Sequence, residues 1–536
     1  MSSGVEESGV EESDEGHIVV SRNPATLEVN DEVPEATPAD VAEAVADAAA
    51  AQPGWAARPI EERLAVIRRF QELLLARKEE VAETVSAETG KPLGEAIATE
   101  LSPVLNAVAF ASDEAPGILE ESIPLGGFSS TGKSTIVREP LGVVGMITPW
   151  NYPFGIPGSE VVPTLLAGNA VVLKPAEETT LTGLLLRALL HEAGLPQDLF
   201  AVVPGRGRVT GQALVDADID FLSFTGSAEV GYELDEACER RGIPTCLELG
   251  GSDPAIVLAD ANLDLAADGI LWARFSNAGQ SCAAVKRLYV EASVEPELRE
   301  LLVERVEALR VGGSGDTSYE VGPLVGEGAV EKLHDQVERS VEMGAEVLTG
   351  GGPVDGADGH FYAPTVLTNV SDDMPVVTEE TFGPVLPIVP VADEAEALER
   401  ANDTRFGLTG SVWTRDTDRG ERVARRIEAG TVTVNEHLYT FGLHATPWGG
   451  YKDSGGDLSH GRWILEDVTR PKHVHVAPGD ASLSSGRFKD LWWFPYADDY
   501  PSVVSDTMDL LYGSGVGTRL RAAPTVLRTL FGNGDR

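Results

Sequence analysis

The sequence predicts an α/β protein of two parallel lobes with a β-arm. From Val143 onward short apolar runs alternate with helix-length amphipathic segments, the pattern of a parallel sheet whose strands are joined by helices. At 536 residues the chain exceeds a single core and fits two or three domains. Ahead of Val143, the stretch Ile123 to Val144 alternates and is rich in Gly and Ser, which reads as a hairpin arm.

The elements follow in order. Residues 1–17 form an acidic tail in which Gly-Val-Glu-Glu-Ser occurs twice, too charged to bury itself and expected to be disordered. Residues 38–51 and 59–89 carry helical periodicity through Val41, Val45 and Ala48, then through Leu64, Ile67, Phe70, Leu74 and Val81. Strands are expected at 143–147, 170–173, 200–203 and 221–224, with helices at 158–167, 181–193, 211–216 and 228–240. A second α/β lobe runs over residues 286–411, with strands at 288–290 and 385–389 and helices at 295–310 and 330–342. A strand and Gly-rich loop span 430–456, and His473 and His475 share one face of a closing strand. The expected domains are 18–122 with 141–252, then 253–459, an arm of 123–140 with 460–480, and an extension of 481–536.

Composition narrows the function. The net charge is −45, from 86 acidic against 41 basic residues of which nine are Lys, and this excludes nucleic acid as a partner. Such charge is tolerated where salt screens it, so a salt-adapted (halophilic) protein is expected. The start lacks a basic region and an apolar core, and no run of eighteen apolar residues occurs, so the expected location is cytoplasmic. Three cysteines (Cys238, Cys246, Cys282) form no CxxC, and no metal site is expected, the His473/His475 pair having no third ligand nearby.

The chemistry gathers around Phe275-Ser276-Asn277-Ala278-Gly279-Gln280-Ser281-Cys282, which sets a thiol after a turn-prone segment. A lone Cys is more often a small buried hydrophobe. Here it has company. Glu248, in Leu247-Glu248-Leu249-Gly250-Gly251, is a base whose following glycines are expected to end a strand and keep its surroundings open; Asn151, in Thr148-Pro149-Trp150-Asn151-Tyr152-Pro153, offers an amide for a developing oxyanion. Thr225-Gly226-Ser227 closes a strand and opens a helix, a place for a pyrophosphate, with Gly231 on the first turn keeping the approach open. Gly205-Arg206-Gly207 lacks the spacing of a dinucleotide fingerprint and reads as a turn.

Together with Lys174-Pro175-Ala176-Glu177 and Glu379-Glu380-Thr381-Phe382-Gly383-Pro384, these segments resemble the aldehyde dehydrogenase superfamily over residues 20 to 478. The resemblance implies two Rossmann-like lobes and an arm that mediates assembly into a dimer or tetramer. It assigns Cys282 as nucleophile, Glu248 as the base that hydrolyses a thioester, and Asn151 as oxyanion donor. It places Lys174 and Glu177 at the adenosine ribose, Gly226, Ser227, Gly231 and Trp150 along the nucleotide, Glu380 at the nicotinamide ribose and Phe382 on the ring face. A carboxylate at Glu177 repels a 2′-phosphate, so NAD is expected in preference to NADP. Tyr152, Ile156, Ser159, Ser281, Ala283 and Trp448 would line a mainly apolar substrate tunnel, with a succinate-semialdehyde-type substrate left open. One departure from the commonest family form is Ser252, where Lys follows the double Gly. Two other readings compete: a thiol esterase or acyltransferase with a vestigial nucleotide site, and a non-catalytic scaffold, neither of which needs the whole set.

The extension differs in composition, with six acidic and six basic residues between 481 and 536. Leu491-Trp492-Trp493-Phe494-Pro495-Tyr496 is an aromatic cluster, Val504, Met508 and Leu511 suggest one helix face ended by Gly513, and Pro524 is expected to interrupt a second helix. The favoured reading is docking on the protein's own surface. A membrane-surface contact through Arg519, Arg521 and Arg528 is the alternative.

Overall fold

The computed structural model describes residues 17–124, 133–313, 318–476, 494, 496 and 498–531. The acidic tail up to residue 16, the tip of the expected arm at 125–132 and the Trp pair at 492–493 lie outside the described residues. The chain resolves into two compact units, residues 1–115 with 140–468 and residues 116–139 with 469–536.

Besides an antiparallel pair, Ile18–Arg22 with Val29–Pro34, the first unit is built on two large sheets. In one, five parallel strands lie side by side as Phe200–Val202, Ala170–Lys174, Val143–Ile147, Phe221–Thr225 and Thr245–Glu248. Strand order reverses on either side of Val143–Ile147, and ligands of open α/β sheets bind at the carboxyl ends beside such a switch. The residues singled out from the sequence sit there. Thr148 to Asn151 follow the switch strand directly, Lys174 ends its neighbour, Thr225 opens the Gly226-Ser227 turn and Glu248 ends the edge strand.

The other sheet has seven strands in the order Glu346–Thr349, Thr365–Thr368, Val385–Val391, Val285–Glu291, Asp253–Val257, Thr409–Trp413 and Thr431–Val434. All pairs are parallel except the first. Asp253–Val257 and Thr409–Trp413 are buried at every residue, as strands covered on both faces must be. Cys282 lies just before the amino end of Val285–Glu291, and Glu380 and Phe382 just before that of Val385–Val391.

Local chemistry sets the boundaries. Thr37 and Asp40 form a capping box at the start of helix Pro38–Ala56. The periodicity over 59–89 is two helices, Ile60–Ala76 and Lys78–Thr89, because Arg77 leaves helical geometry (φ −116°, ψ 23°) and its guanidinium holds Glu80 and Glu192. The apolar stripe carries across the break, so periodicity alone did not reveal it.

In the second unit, Glu120–Ile123 pairs antiparallel with Lys133–Pro140, which also borders Thr469–Val476. His473 Nε2 and His475 Nδ1 converge on Ser134 Oγ at 3.0 and 2.8 Å, so the two rings do share a face. The helices Tyr500–Tyr512 and Val516–Phe531 pack together. The buried face of the first is Val503 and Thr507, whereas Met508 is exposed, one residue round from the expected stripe. The second helix continues through Pro524 rather than breaking there, since a proline costs a helix one N–H bond without forbidding the path.

Candidate active site

The nucleophile loop is built by left-handed backbone. After helix Leu263–Phe275, Asn277, Ala278 and Gly279 take φ of 51°, 52° and 74° in succession. A Cβ on Gly279 would stand 2.4 Å from the Gly383 carbonyl oxygen, so only glycine fits that turn. Asn277 N–H donates to Glu95 Oε1 at 2.6 Å, and its amide donates to the carbonyls of Asn151 and Gln280. The loop is thereby tied to the Asn151 segment. That segment is fixed from beneath by a buried pair. Lys91 Nζ donates to Glu100 Oε1 at 2.5 Å and to the Asn151 carbonyl at 3.0 Å, while Glu100 Oε2 accepts from Phe154 N and Gly155 N.

Cys282 is half-buried and opens on two cavities of about 340 and 320 Å³. Burial pushes its thiol up to about 12, and Lys286 is the principal charge opposing that rise. Lys286 is itself fully buried; its Nζ donates to the carbonyls of Ser281 (2.7 Å) and Cys282 (2.5 Å) and pairs with Glu380 Oε1 at 3.4 Å. Nothing in the sequence marked it beyond its place four residues after the Cys. Asp253, raised to about 6 by burial, is lowered in turn by Lys286.

Asn151 is buried beside the thiol, and its Nδ2 donates to the Gln280 carbonyl at 3.0 Å. One N–H of the amide remains for a substrate oxygen, and Oδ1 has no partner. The expectation of open surroundings for Glu248 is corrected. Glu248 is buried and lines neither cavity, burial raising it well above the usual carboxylate range with Ser459 opposing and Glu160 adding to the rise. The glycines after it let Ser454 close over the strand end instead, its Oγ donating to the Gly250 carbonyl at 2.6 Å and its carbonyl accepting from Leu249 N.

The 340 Å³ cavity is bordered by Trp150, Gly226, Ser227, Gly250, Glu380 and Phe382. Trp150 and Phe382 meet edge to face at 5.6 Å. A Cβ on Gly250 would fall 2.4 Å from Glu380 Oε2, so the cradle depends on a glycine there. Glu380 also accepts from Gly251 N at 3.1 Å. At the helix start, Gly226 N donates to the Glu248 carbonyl and Ser227 Oγ accepts from Val230 N, so these two N–H groups are engaged rather than free. Gly231 does not border the cavity. A side chain there would meet Leu249 Cδ2 at 2.4 Å, and the glycine serves helix packing. Lys174 and Glu177 are likewise off the cavity wall. Burial pulls the Lys174 ammonium down while Glu177 opposes, and Glu177 Oε1 accepts from Gly207 N at 3.0 Å. A carboxylate, a glycine turn and an aromatic face along one cavity that reaches a thiol fit a nicotinamide dinucleotide.

The 320 Å³ cavity holds Tyr152, Ile156, Ser281, Ala283 and Trp448 as expected from the sequence. Ser159 is the exception: it lies in the core of helix Gly155–Ala167, its Oγ donating to the Gly155 carbonyl. Trp272 and Phe441 add further aromatic wall.

The sequence profile of the aldehyde dehydrogenase family matches residues 10–474. A Mycolicibacterium smegmatis protein, provisionally named succinate-semialdehyde dehydrogenase (NADP+), is 43% identical over 430 residues, 80% of this chain and 83% of that one. The glutarate-semialdehyde dehydrogenase of Pseudomonas putida is 36% identical over 87% of this chain and 96% of its own length. Among solved structures, a Mycobacterium tuberculosis aldehyde dehydrogenase complexed with NAD+ superposes with a TM-score of 0.82 at 36% identity, covering 87% of this chain and 96% of that one.

Proposed function

The chain belongs to the aldehyde dehydrogenase family, oxidoreductases that oxidise aldehydes with NAD(P), and from that premise we propose that its reaction runs through a covalent thioester on Cys282. The observation that carries this reading is the Cys282 thiol opening on both cavities, one suited to nucleotide and one to substrate. The Cys282 thiolate adds to the aldehyde carbonyl carbon and makes a thiohemiacetal, whose oxyanion accepts from the Asn151 amide and the Cys282 N–H. A nicotinamide dinucleotide bound along Trp150, Gly226, Ser227, Glu380 and Phe382 supplies the hydride acceptor. Once oxidised, the acyl group on Cys282 is released by water, which gives its proton to Glu248 as the acid leaves and the thiolate returns. A base in this place favours hydrolysis over transfer to a carrier thiol. The test is NAD(P)H production from an aldehyde panel, with Cys282→Ala expected to abolish it.

For the nucleotide, NAD over NADP is the reading supported by the Glu177 carboxylate and by Arg206, whose guanidinium donates twice to Glu35. NADP is the second reading, favoured by the name of the M. smegmatis relative. Comparison of kcat/KM for both decides. The relatives' names make a short semialdehyde the alternative substrate. Lys174 and Glu177 at the adenosine ribose, and Gly231 as a packing residue behind the phosphate turn, complete the assignment.

A homodimer or tetramer is supported by the three-stranded sheet, whose outer strands Glu120–Ile123 and Thr469–Val476 each leave an edge for pairing. Lobes 18–122 with 141–252 and 253–459 then correspond to nucleotide and catalytic domains. A salt-adapted cytoplasmic setting is supported by the charge of −45. Among the described residues no helix is long and apolar enough to cross a membrane.

A further inference from the structure

We infer that the tunnel selects neutral aldehydes with an apolar or aromatic body and disfavours aldehydes that carry a carboxylate, a substrate class that rests on the dehydrogenase reading above. The walls facing Cys282 are Tyr152, Ile156, Trp272, Phe441 and Trp448, and the polar positions Thr99, Ser102 and Asn106 are all uncharged. Among the described residues lining the cavity there is no acidic or basic side chain.

Among the described residues, the ionisable groups named behind these walls leave no unpaired cation facing the cavity. His460 packs at 4.9 Å from Phe441 and 4.0 Å from His444. Burial pulls His444 down to about 4 and His460 well below the usual range, so both rings are neutral near pH 7. Lys91 Nζ lies 4.1 Å from the Tyr152 ring, outside the residues that line the cavity, and donates to Glu100 and to the Asn151 carbonyl. Where Tyr439 borders the cavity, its N–H donates to Glu436 Oε1 at 2.9 Å, which brings an acidic group to that rim. Ser102 continues the helical path out of Ile97–Leu101, with φ −58° and ψ −45°, so no helix end offers its N–H groups there.

An ionised carboxylate moved from water into such a wall keeps neither its hydration nor a counter-ion. At low salt the whole chain adds a repulsive field of the same sign, which molar salt screens. A neutral aldehyde of equal length meets neither penalty and gains contact with five large side chains. A pocket without a matching polar group discriminates by about 100-fold against even an added hydroxyl, so a carboxylate should suffer at least that.

The experiment uses the full chain in molar salt with NAD and NADP, comparing pentanal, methyl 4-oxobutanoate and 4-oxobutanoate. We expect kcat/KM for the neutral pair to exceed that for 4-oxobutanoate by about 100-fold or more. Ser102→Arg should raise the 4-oxobutanoate value at least tenfold and lower that for pentanal. Protection of Cys282 from iodoacetamide reads the tunnel without turnover, and pentanal should protect at concentrations at least tenfold lower than 4-oxobutanoate. That protection pattern without NAD(P)H from any aldehyde would uphold the selectivity and overturn the dehydrogenase reading. Equal or better turnover or protection by 4-oxobutanoate would overturn the selectivity itself.

Discussion

Replacing Lys286 by Met should silence the nucleophile while leaving it in place. The side chain is fully buried, and its ammonium is the largest opposing influence on a thiol that burial lifts to about 12. Two unit charges about 4 Å apart at an effective dielectric near 20 interact by about 4 kcal/mol. Lys286 touches the carbonyl of Cys282 rather than its sulfur, so half of that, about 2 kcal/mol, is a fair expectation, or about one and a half pH units. The sign follows directly. A cation favours the thiolate, so its removal moves the thiol's titration to higher pH and lowers the thiolate fraction at any pH below it, about tenfold for each unit. The assay is the pH dependence of iodoacetamide alkylation of Cys282. At pH 8 the Lys286→Met rate should fall by about 10- to 100-fold, and Lys286→Arg should recover most of it. Because Lys286 also pairs with Glu380, KM for the nucleotide should change in the Met variant. A Met variant with the native alkylation profile would refute the argument, whatever happened to its melting temperature.

Other outcomes follow from the same geometry. Glu248→Gln should give one NADH per site in a burst and then stall, since acylation needs no base of this kind; stopped-flow absorbance at steady native turnover would contradict it. Glu160→Gln should flatten the pH dependence of stability. The folded chain holds this carboxyl's proton to about pH 7 while the unfolded chain releases it near 4.5, so folding loses about 3 kcal/mol as pH rises across that window, and thermal melts of the variant at pH 5 and 8 should differ correspondingly less. Glu177→Gln should raise kcat/KM for NADP relative to NAD by about tenfold, measured with one aldehyde. Truncation after Asp480 separates docking from membrane contact. Docking requires a lower melting temperature or altered assembly by light scattering, and membrane contact requires unchanged stability with lost vesicle co-sedimentation.

The parts legible in the sequence were those governed by local rules. Strand and helix alternation named most of the first sheet but missed Glu346–Thr349, Thr365–Thr368 and Thr409–Trp413 in the second, and the turn residues around Asn277 to Gly279 announced a loop that the backbone makes with three left-handed residues. Cys282 and Asn151 were legible because each sits in a segment whose shape is set by its neighbours. What stayed hidden depends on long-range burial. No motif in the sequence sets Lys91, Glu95, Glu100 and Lys286 apart from the other charged residues of a chain with 86 acids, yet the fold buries Lys91, Glu100 and Lys286 completely and aims them at main-chain carbonyls and N–H groups of the catalytic loops. Glu248 shows the same limit in reverse. Its following glycines suggest access, but access depends on what approaches them from residue 454 and beyond, more than two hundred positions away. The consequence is chemical. In the folded chain burial raises both the Cys282 thiol and the Glu248 carboxyl above their ordinary values, so the pair is poised by burial rather than by pairing with each other. Catalysis then requires the charge at Lys286 and water at Glu248 to act against that burial, and its rate should climb through the alkaline range rather than peak near neutrality.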